Sequence, residues 1–188
     1  MRSLVLLILA ALALSPLAGA AAQHRTAQLA AATPAVAVDP GDVVSIDAIM
    51  RALYSVISGP MGRPRDWTRF RSLFLRGAKL IATAPRPDGT SGLRVLDVEG
   101  YIQAADPVFM KNGFFEREAA RHMDRFGNIA HLFSTYESRH APDDRQPFAR
   151  GINSIQLIRD EGRWWLVTVI WDAERPDNPL PTQYLPRR

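Results

Sequence analysis

The stretch that decides the fold is Asp160-Glu161-Gly162-Arg163-Trp164-Trp165-Leu166-Val167-Thr168-Val169-Ile170-Trp171, near the end of a 188-residue chain. Asp-Glu-Gly is turn chemistry, because glycine takes the positive φ that a tight hairpin needs, and the β-branched and aromatic run after it is strand chemistry. Gly151 to Arg159, before the turn, reads as the partner strand, so Arg163 to Ala173 returns antiparallel to it. The run from Trp164 to Trp171 lacks the polar-apolar alternation of a strand with one wet face. Both of its faces are therefore expected to be covered.

Two more strands precede this hairpin: Phe114 to Phe126, polar and edge-like, and Asn128 to His140. Further upstream, Lys79 to Ala84 predicts a short strand and Pro85 to Gly92 an exposed loop. Helical spacing starts at Asp42, where Ile46, Ile49, Met50, Leu53 and Ile57 share one face; Asp42 or Ser45 caps the start and Gly59-Pro60 ends it. Asp66 caps a second helix carrying Trp67, Phe70, Leu73 and Phe74, which Gly77 stops. A third runs from Asp97 through Tyr101 to Ala105, before Pro107. Helices followed by a strand meander predict an α+β fold, with helices packed on one face of a curved antiparallel sheet.

The two ends read differently. Residues 1–22 hold one charge, Arg2, an apolar run from Leu4 to Leu14, Pro16, and the small residues Ala18-Gly19-Ala20-Ala21-Ala22, the layout of a cleaved secretory signal peptide. The run falls short of the roughly 20 residues that cross a bilayer, so no membrane span is expected after processing. Residues 23–40, rich in Ala, Gln, Thr and Pro, are expected to be a flexible linker, residues 41–174 the domain, and residues 175–188 a Pro-rich extended tail anchored by Leu180, Tyr184 and Leu185. The expected location is periplasmic or secreted.

Composition excludes more than it assigns. With no cysteine there is no disulfide scaffold, no Cys-ligated metal and no thiol nucleophile. His122, His131 and His140 lack metal-ligand spacing, and no metal is expected. P-loop, dinucleotide and GxSxG patterns are missing, and no cofactor is expected. The balance of 23 Lys and Arg against 19 Asp and Glu is a weak drive toward polyanions. Arg63, Arg65, Arg69, Arg71 and Arg76 alternate with Trp67, Phe70 and Phe74; on a helix the rings turn inward and the arginines outward, so nucleic acid is not expected as a partner.

The order of elements, with Asp66-Trp67-Thr68-Arg69-Phe70-Arg71-Ser72-Leu73-Phe74 ahead of a strand and Glu161-Gly162-Arg163-Trp164-Trp165-Leu166-Val167 closing the sheet, resembles the nuclear transport factor 2-like superfamily from about Asp42 to Glu174. The resemblance implies a cystatin-like cone in which helices and curved sheet enclose an apolar pocket, often in a dimer, as in its SnoaL-like, ketosteroid isomerase and limonene epoxide hydrolase members. Ketosteroid isomerase combines an Asp base with an oxyanion hole made by a Tyr and a protonated Asp. Tyr54 falls near that family's Tyr. Leu80-Ile81-Ala82-Thr83-Ala84 offers no carboxylate for the base, and the second Asp falls near Ser154, with Gln156 two residues on. That mechanism is not expected. Trp171 falls near the family's pocket Trp, which implies an inward set of Trp165, Val167, Val169 and Trp171.

His131 is the candidate catalytic residue: Ile129, Phe133 and Thr135 flank it at alternate positions, so all should turn into the pocket or core. Glu116, Glu118, Glu137 and Asp172 offer carboxylates for a dyad, although Arg117, Arg121, Arg125 and Arg139 among them favour cross-strand ion pairs. Trp67, Phe133, Trp165 and Trp171 are the expected aromatic lining, with hydrogen bonds from Tyr54, Ser154 and Gln156. The leading expectation is an exported protein that binds a small apolar molecule, paired as a homodimer through the convex face of the doubly apolar last strand; the C-terminal tail folded back over that face is the alternative cover. The alternatives are a SnoaL-like lyase, isomerase or hydrolase with His131 as base, and a structural dimerisation module whose cone is filled by its own rings.

Overall fold

The computed structural model describes residues 38–86 and 90–186. The expected signal peptide, residues 1–22, and the linker up to residue 37 lie outside the described residues. The elements are α1 (Pro40–Val43), α2 (Ile46–Ile57), α3 (Trp67–Ser72), β1 (Phe74–Pro85), β2 (Ser91–Leu96), α4 (Val98–Lys111), β3 (Phe115–Phe126), β4 (Ile129–Arg139), β5 (Ala149–Asp160), β6 (Arg163–Ala173) and a 3-10 turn at Thr182–Tyr184. One curved, unclosed sheet holds the strands in the order β2-β1-β6-β5-β4-β3.

Local chemistry sets the helix starts. Ser45 Oγ accepts the Ala48 N–H at 3.1 Å, Asp66 that of Arg69 at 2.8 Å and Asp97 that of Gly100 at 2.7 Å, each satisfying a donor that the first turn leaves free. Asp42 instead grips Arg69 through two bonds, at 2.6 and 2.8 Å. The buried face of α2 is the one its spacing predicted, with Ile46, Ile49, Met50, Leu53 and Ile57 in the core beside Leu132, Ile155 and Leu166 of the sheet. Between β5 and β6, Glu161 (φ 48°) and Gly162 (φ 81°) both take positive φ, as a two-residue hairpin turn requires.

Several expectations change. β1 runs parallel to β6, so the sheet is not wholly antiparallel; the β1-β2 hairpin lies beyond β6 because α4 and the meander carry the chain around to insert β6 beside β1. Gly77 does not stop a helix: α3 ends at Ser72, and Gly77 (φ 88°) takes up the irregularity between Phe74 and Lys79 where β1 slips its register on β6. Helix α4 passes through Pro107 to Lys111, because burial of Phe109, stacked on Phe114 at 4.3 Å and on Trp67 at 6.3 Å, outweighs the missing hydrogen bond. Arg65 turns inward, 7% exposed, where it donates to the carbonyls of Ile57, Gly59, Pro60 and Arg63 and ties off the end of α2.

The outer face of the sheet, away from α2, is partly covered by the chain's own tail. Tyr184 stacks on Phe133 at 5.3 Å, and its carbonyl accepts the Thr135 hydroxyl at 2.6 Å. The tail docks through a short turn instead of running extended throughout. No helix among the described residues is long and apolar enough to cross a membrane.

Candidate functional site

Between the inner face of the sheet and helices α2 and α4 lies a cavity of about 330 Å³. Its deep end is aliphatic and aromatic, with Leu53, Phe70, Leu80 and Val169 all buried. Its mouth is marked by the exposed lining residues Arg94, Val108 and Phe148. The rings of Tyr101, Phe109, Phe114, Tyr136 and Trp171 line it without filling it. Tyr136 reaches its place because β5 carries a glycine there: a Cβ on Gly151 would stand 2.5 Å from the phenol oxygen.

The polar wall belongs to β3, β4 and β5. Glu116 pairs in register with Ser138, whose hydroxyl donates to its carboxylate at 2.8 Å, and the Glu116 N–H donates to Ser58 Oγ at 3.0 Å. Burial pushes the Glu116 carboxyl up to about 7, against the opposing pull of hydrogen bonds from Ser138 and Asn153. Tyr101 and Tyr136 are also held well above the ordinary phenol value, by burial first and then by the Glu116 charge, which places both rings within its field. Neither phenol has a hydrogen-bond partner among the described residues, and neither oxygen is sealed from accessible space.

Asn153 connects this wall to the surface. It donates to the Tyr54 hydroxyl at 3.1 Å, Tyr54 and Ser134 are 2.7 Å apart, and Ser134 donates to Glu118 at 2.5 Å. Because the single Ser134 proton goes to Glu118, Tyr54 is the donor in the middle bond. Arg121 closes the relay, binding Glu118 and, at 2.6 Å, Asp47.

Of the four strand carboxylates that the sequence offers, three are ion-paired: Glu118 with Arg121, Glu137 with Arg117 and Arg139, and Asp172 with Arg175. Glu116 has no ion pair among the described residues, and the arginine ladder passes it by because its register partner is Ser138. Among the described residues, no three metal-ligating side chains gather.

The residues expected in the pocket divide by face. Trp171 lines the cavity. His131, Phe133, Ser154, Gln156 and Trp165 stand on the opposite face: on β4 the buried inward residues are Ala130, Leu132, Ser134, Tyr136 and Ser138, and on β5 they are Gly151, Asn153, Ile155 and Leu157. His131 Nε2 meets Ser154 Oγ at 3.0 Å, and no carboxylate bonds it among the described residues. Gln156 is exposed, and the Arg163 guanidinium covers Trp165, 3.5 Å from its ring centre. A bulge at Val167 shifts the phase of β6, so that Trp164 and Leu166 point inward before it while Val169 and Trp171 do so after it. Tyr54 sits behind Asn153, off the cavity lining, and Trp67 packs between α3 and α4 with its N–H on Asp106 at 2.7 Å.

No protein-family model matches the sequence, and no curated protein matches it. Among solved structures the chain is similar to a cystatin-like-fold protein from Nostoc punctiforme, with TM-score 0.53 and 12% identity over 72% of this chain and 92% of that one. It is also similar to a cystatin-like-fold protein from Caulobacter vibrioides, with TM-score 0.51 and 15% identity over 70% and 89%. A nuclear transport factor 2-like protein from Silicibacter pomeroyi matches with TM-score 0.47 and 15% identity over 69% and 92%. At such identities the likeness is one of fold: the protein has a cystatin-like fold.

Proposed function

We propose that the protein is an exported binder of a small, largely apolar molecule, held between the inner sheet face and helices α2 and α4. The observation that carries this is the cavity itself: about 330 Å³, walled mostly by aliphatic and aromatic side chains, with Arg94, Tyr101, Glu116, Tyr136, Ser138 and Asn153 as its polar points. Small-molecule sites have this make-up, and their volumes start at about 300 Å³. A His131-based enzyme has no comparable support, since that imidazole bonds Ser154 on the other face of the sheet.

Binding of the neutral dye Nile red, followed by its fluorescence, tests the reading against Ala105→Trp, which grows a ring from the cavity lining. Wild type is expected to take up the dye and the variant to lose it; equal uptake by both removes the proposal. Export and pairing belong to the same reading. Removal of residues 1–22 would leave the domain outside the cytoplasm, and two copies would meet where the tail leaves the outer face bare, near the exposed Phe126 and Ile129. Native mass spectrometry of the protein recovered from its own cells checks all three points, through the mass of the N-terminus, the oligomer and any carried molecule. A monomer that retains Met1 would remove the export and pairing parts.

A further inference from the structure

We propose that the cavity takes an organic cation, a small molecule with an apolar body and one protonated amine, whose ammonium group lies against Glu116. The proposal rests on the ligand-binding reading and narrows it to a chemical class. Its first support is the missing counter-ion. Glu118, Glu137 and Asp172 each have an arginine, whereas Glu116, which faces an apolar cavity, has hydrogen bonds but no cation among the described residues. A carboxylate taken out of water is stabilised above all by an opposite charge at close range. An anionic ligand would be repelled there, and a neutral one would leave the charge as it is. Arg94, the cation on the lining, is exposed and forms no ion pair with Glu116, so the space beside the carboxylate stays open to an incoming charge.

The second support is the number and kind of neighbouring acceptors. A primary ammonium has three N–H donors to satisfy. Glu116 and the phenol oxygens of Tyr101 and Tyr136 offer three acceptor groups on one cavity, and both phenols lack a partner among the described residues. The third is the wall. The rings of Phe109, Phe114 and Trp171 add π faces, which attract a cation most strongly where water is excluded. The same residues would merely solvate the body of a neutral ligand; together with an unpaired carboxylate they favour a charged head.

The test titrates calorimetrically three probes of similar shape: 2-phenylethylammonium, 2-phenylethanol and 3-phenylpropanoate. Wild type is expected to bind the cation at least about tenfold more tightly than the alcohol, a difference of about 1.4 kcal/mol, with the anion weakest. Glu116→Gln is expected to abolish that preference, and Tyr101→Phe is expected to reduce it in part. The wild-type ranking needs no variant, so it stands even if Glu116→Gln folds poorly. Binding of the alcohol with no preference for the cation overturns this proposal and spares the ligand-binding reading. A cation preference that survives in folded Glu116→Gln also overturns it. Failure of all three probes to bind, together with loss of Nile red uptake, overturns both.

Discussion

The two faces of strands β4, β5 and β6 are built from the same segments and put to different uses. The inner face carries Leu132, Ile155 and Leu166, all 0% exposed, and opens on a cavity beside one unpaired carboxyl group. The outer face carries His131, Phe133, Ser154 and Trp165, each only partly covered, with the covering supplied by a tail turn and an arginine. Stability therefore concentrates on one side of the sheet, and the titratable histidine lies on the other. A sheet that is apolar on both faces is thus not a symmetrical object: one face is closed by helices in a continuous core, and the other by local contacts that can be removed one at a time.

Substitutions that strike one face at a time would break or sharpen this contrast. The largest loss is expected from Ile155→Ala, where the inner face is tightest: about 2 to 5 kcal/mol in denaturant unfolding, the usual range for emptying a buried aliphatic site. A cost below about 1 kcal/mol would show that the inner face is no more tightly packed than the outer.

Next comes the unpaired carboxyl. Its folded value, about 7, lies above the ordinary 4.5, so in the folded protein it keeps its proton longer than in the unfolded chain. Stability from this group is full below about pH 4.5, falls as pH rises through about 7 and stays level above that. Glu116→Gln is therefore expected to change stability little at pH 4 and to raise it at pH 8, by up to about 3 kcal/mol at about 1.4 kcal/mol per unit. A wild-type minus variant difference that does not change with pH removes the inward, uncompensated placement of Glu116.

On the outer face, Tyr184→Ala removes the ring that stacks on Phe133 while keeping the carbonyl that binds Thr135. About 1 kcal/mol of destabilisation is expected, the size of an aromatic pair, in the same denaturant experiment. The smallest effect belongs to His131→Ala: Nile red affinity is expected to stay within about twofold of wild type, because its Ser154 bond lies outside the cavity. A tenfold loss would mean that the outer face takes part in binding after all.

Much of the architecture is legible in the sequence because its determinants are local. The caps at Ser45, Asp66 and Asp97, the apolar stripe of α2 and the hairpin at Glu161-Gly162 each declare themselves within a few residues. The parallel junction of β1 with β6 does not, since pairing between segments far apart in the chain leaves no mark on either. The candidate site was less legible, and β4 shows why. Ile129, His131, Phe133 and Thr135 form one alternating set, and Ala130, Leu132, Ser134 and Tyr136 form another. Judged by bulk and apolarity, the first set has the stronger claim to the core. It lies outward because the tail gives it a cover of its own, while small hydroxyls on the second set serve Glu116 and Glu118. Glu116 was hidden among arginines that sequence proximity suggested as partners; only the strand register, which puts Ser138 opposite it, sets it apart.

The bulge at Val167 has a consequence beyond the placement of two tryptophans. A strand is a counter with two states, and one extra residue inverts every later digit. Trp165 and Trp171, separated by an even step, would otherwise share a face; the insertion sends one to the cavity and the other to the guanidinium of Arg163. Shortening β6 by one residue at that point would thus exchange the two surfaces over half a strand without altering a single side chain, so the addresses of the binding wall are written in the length of the strand as much as in its letters.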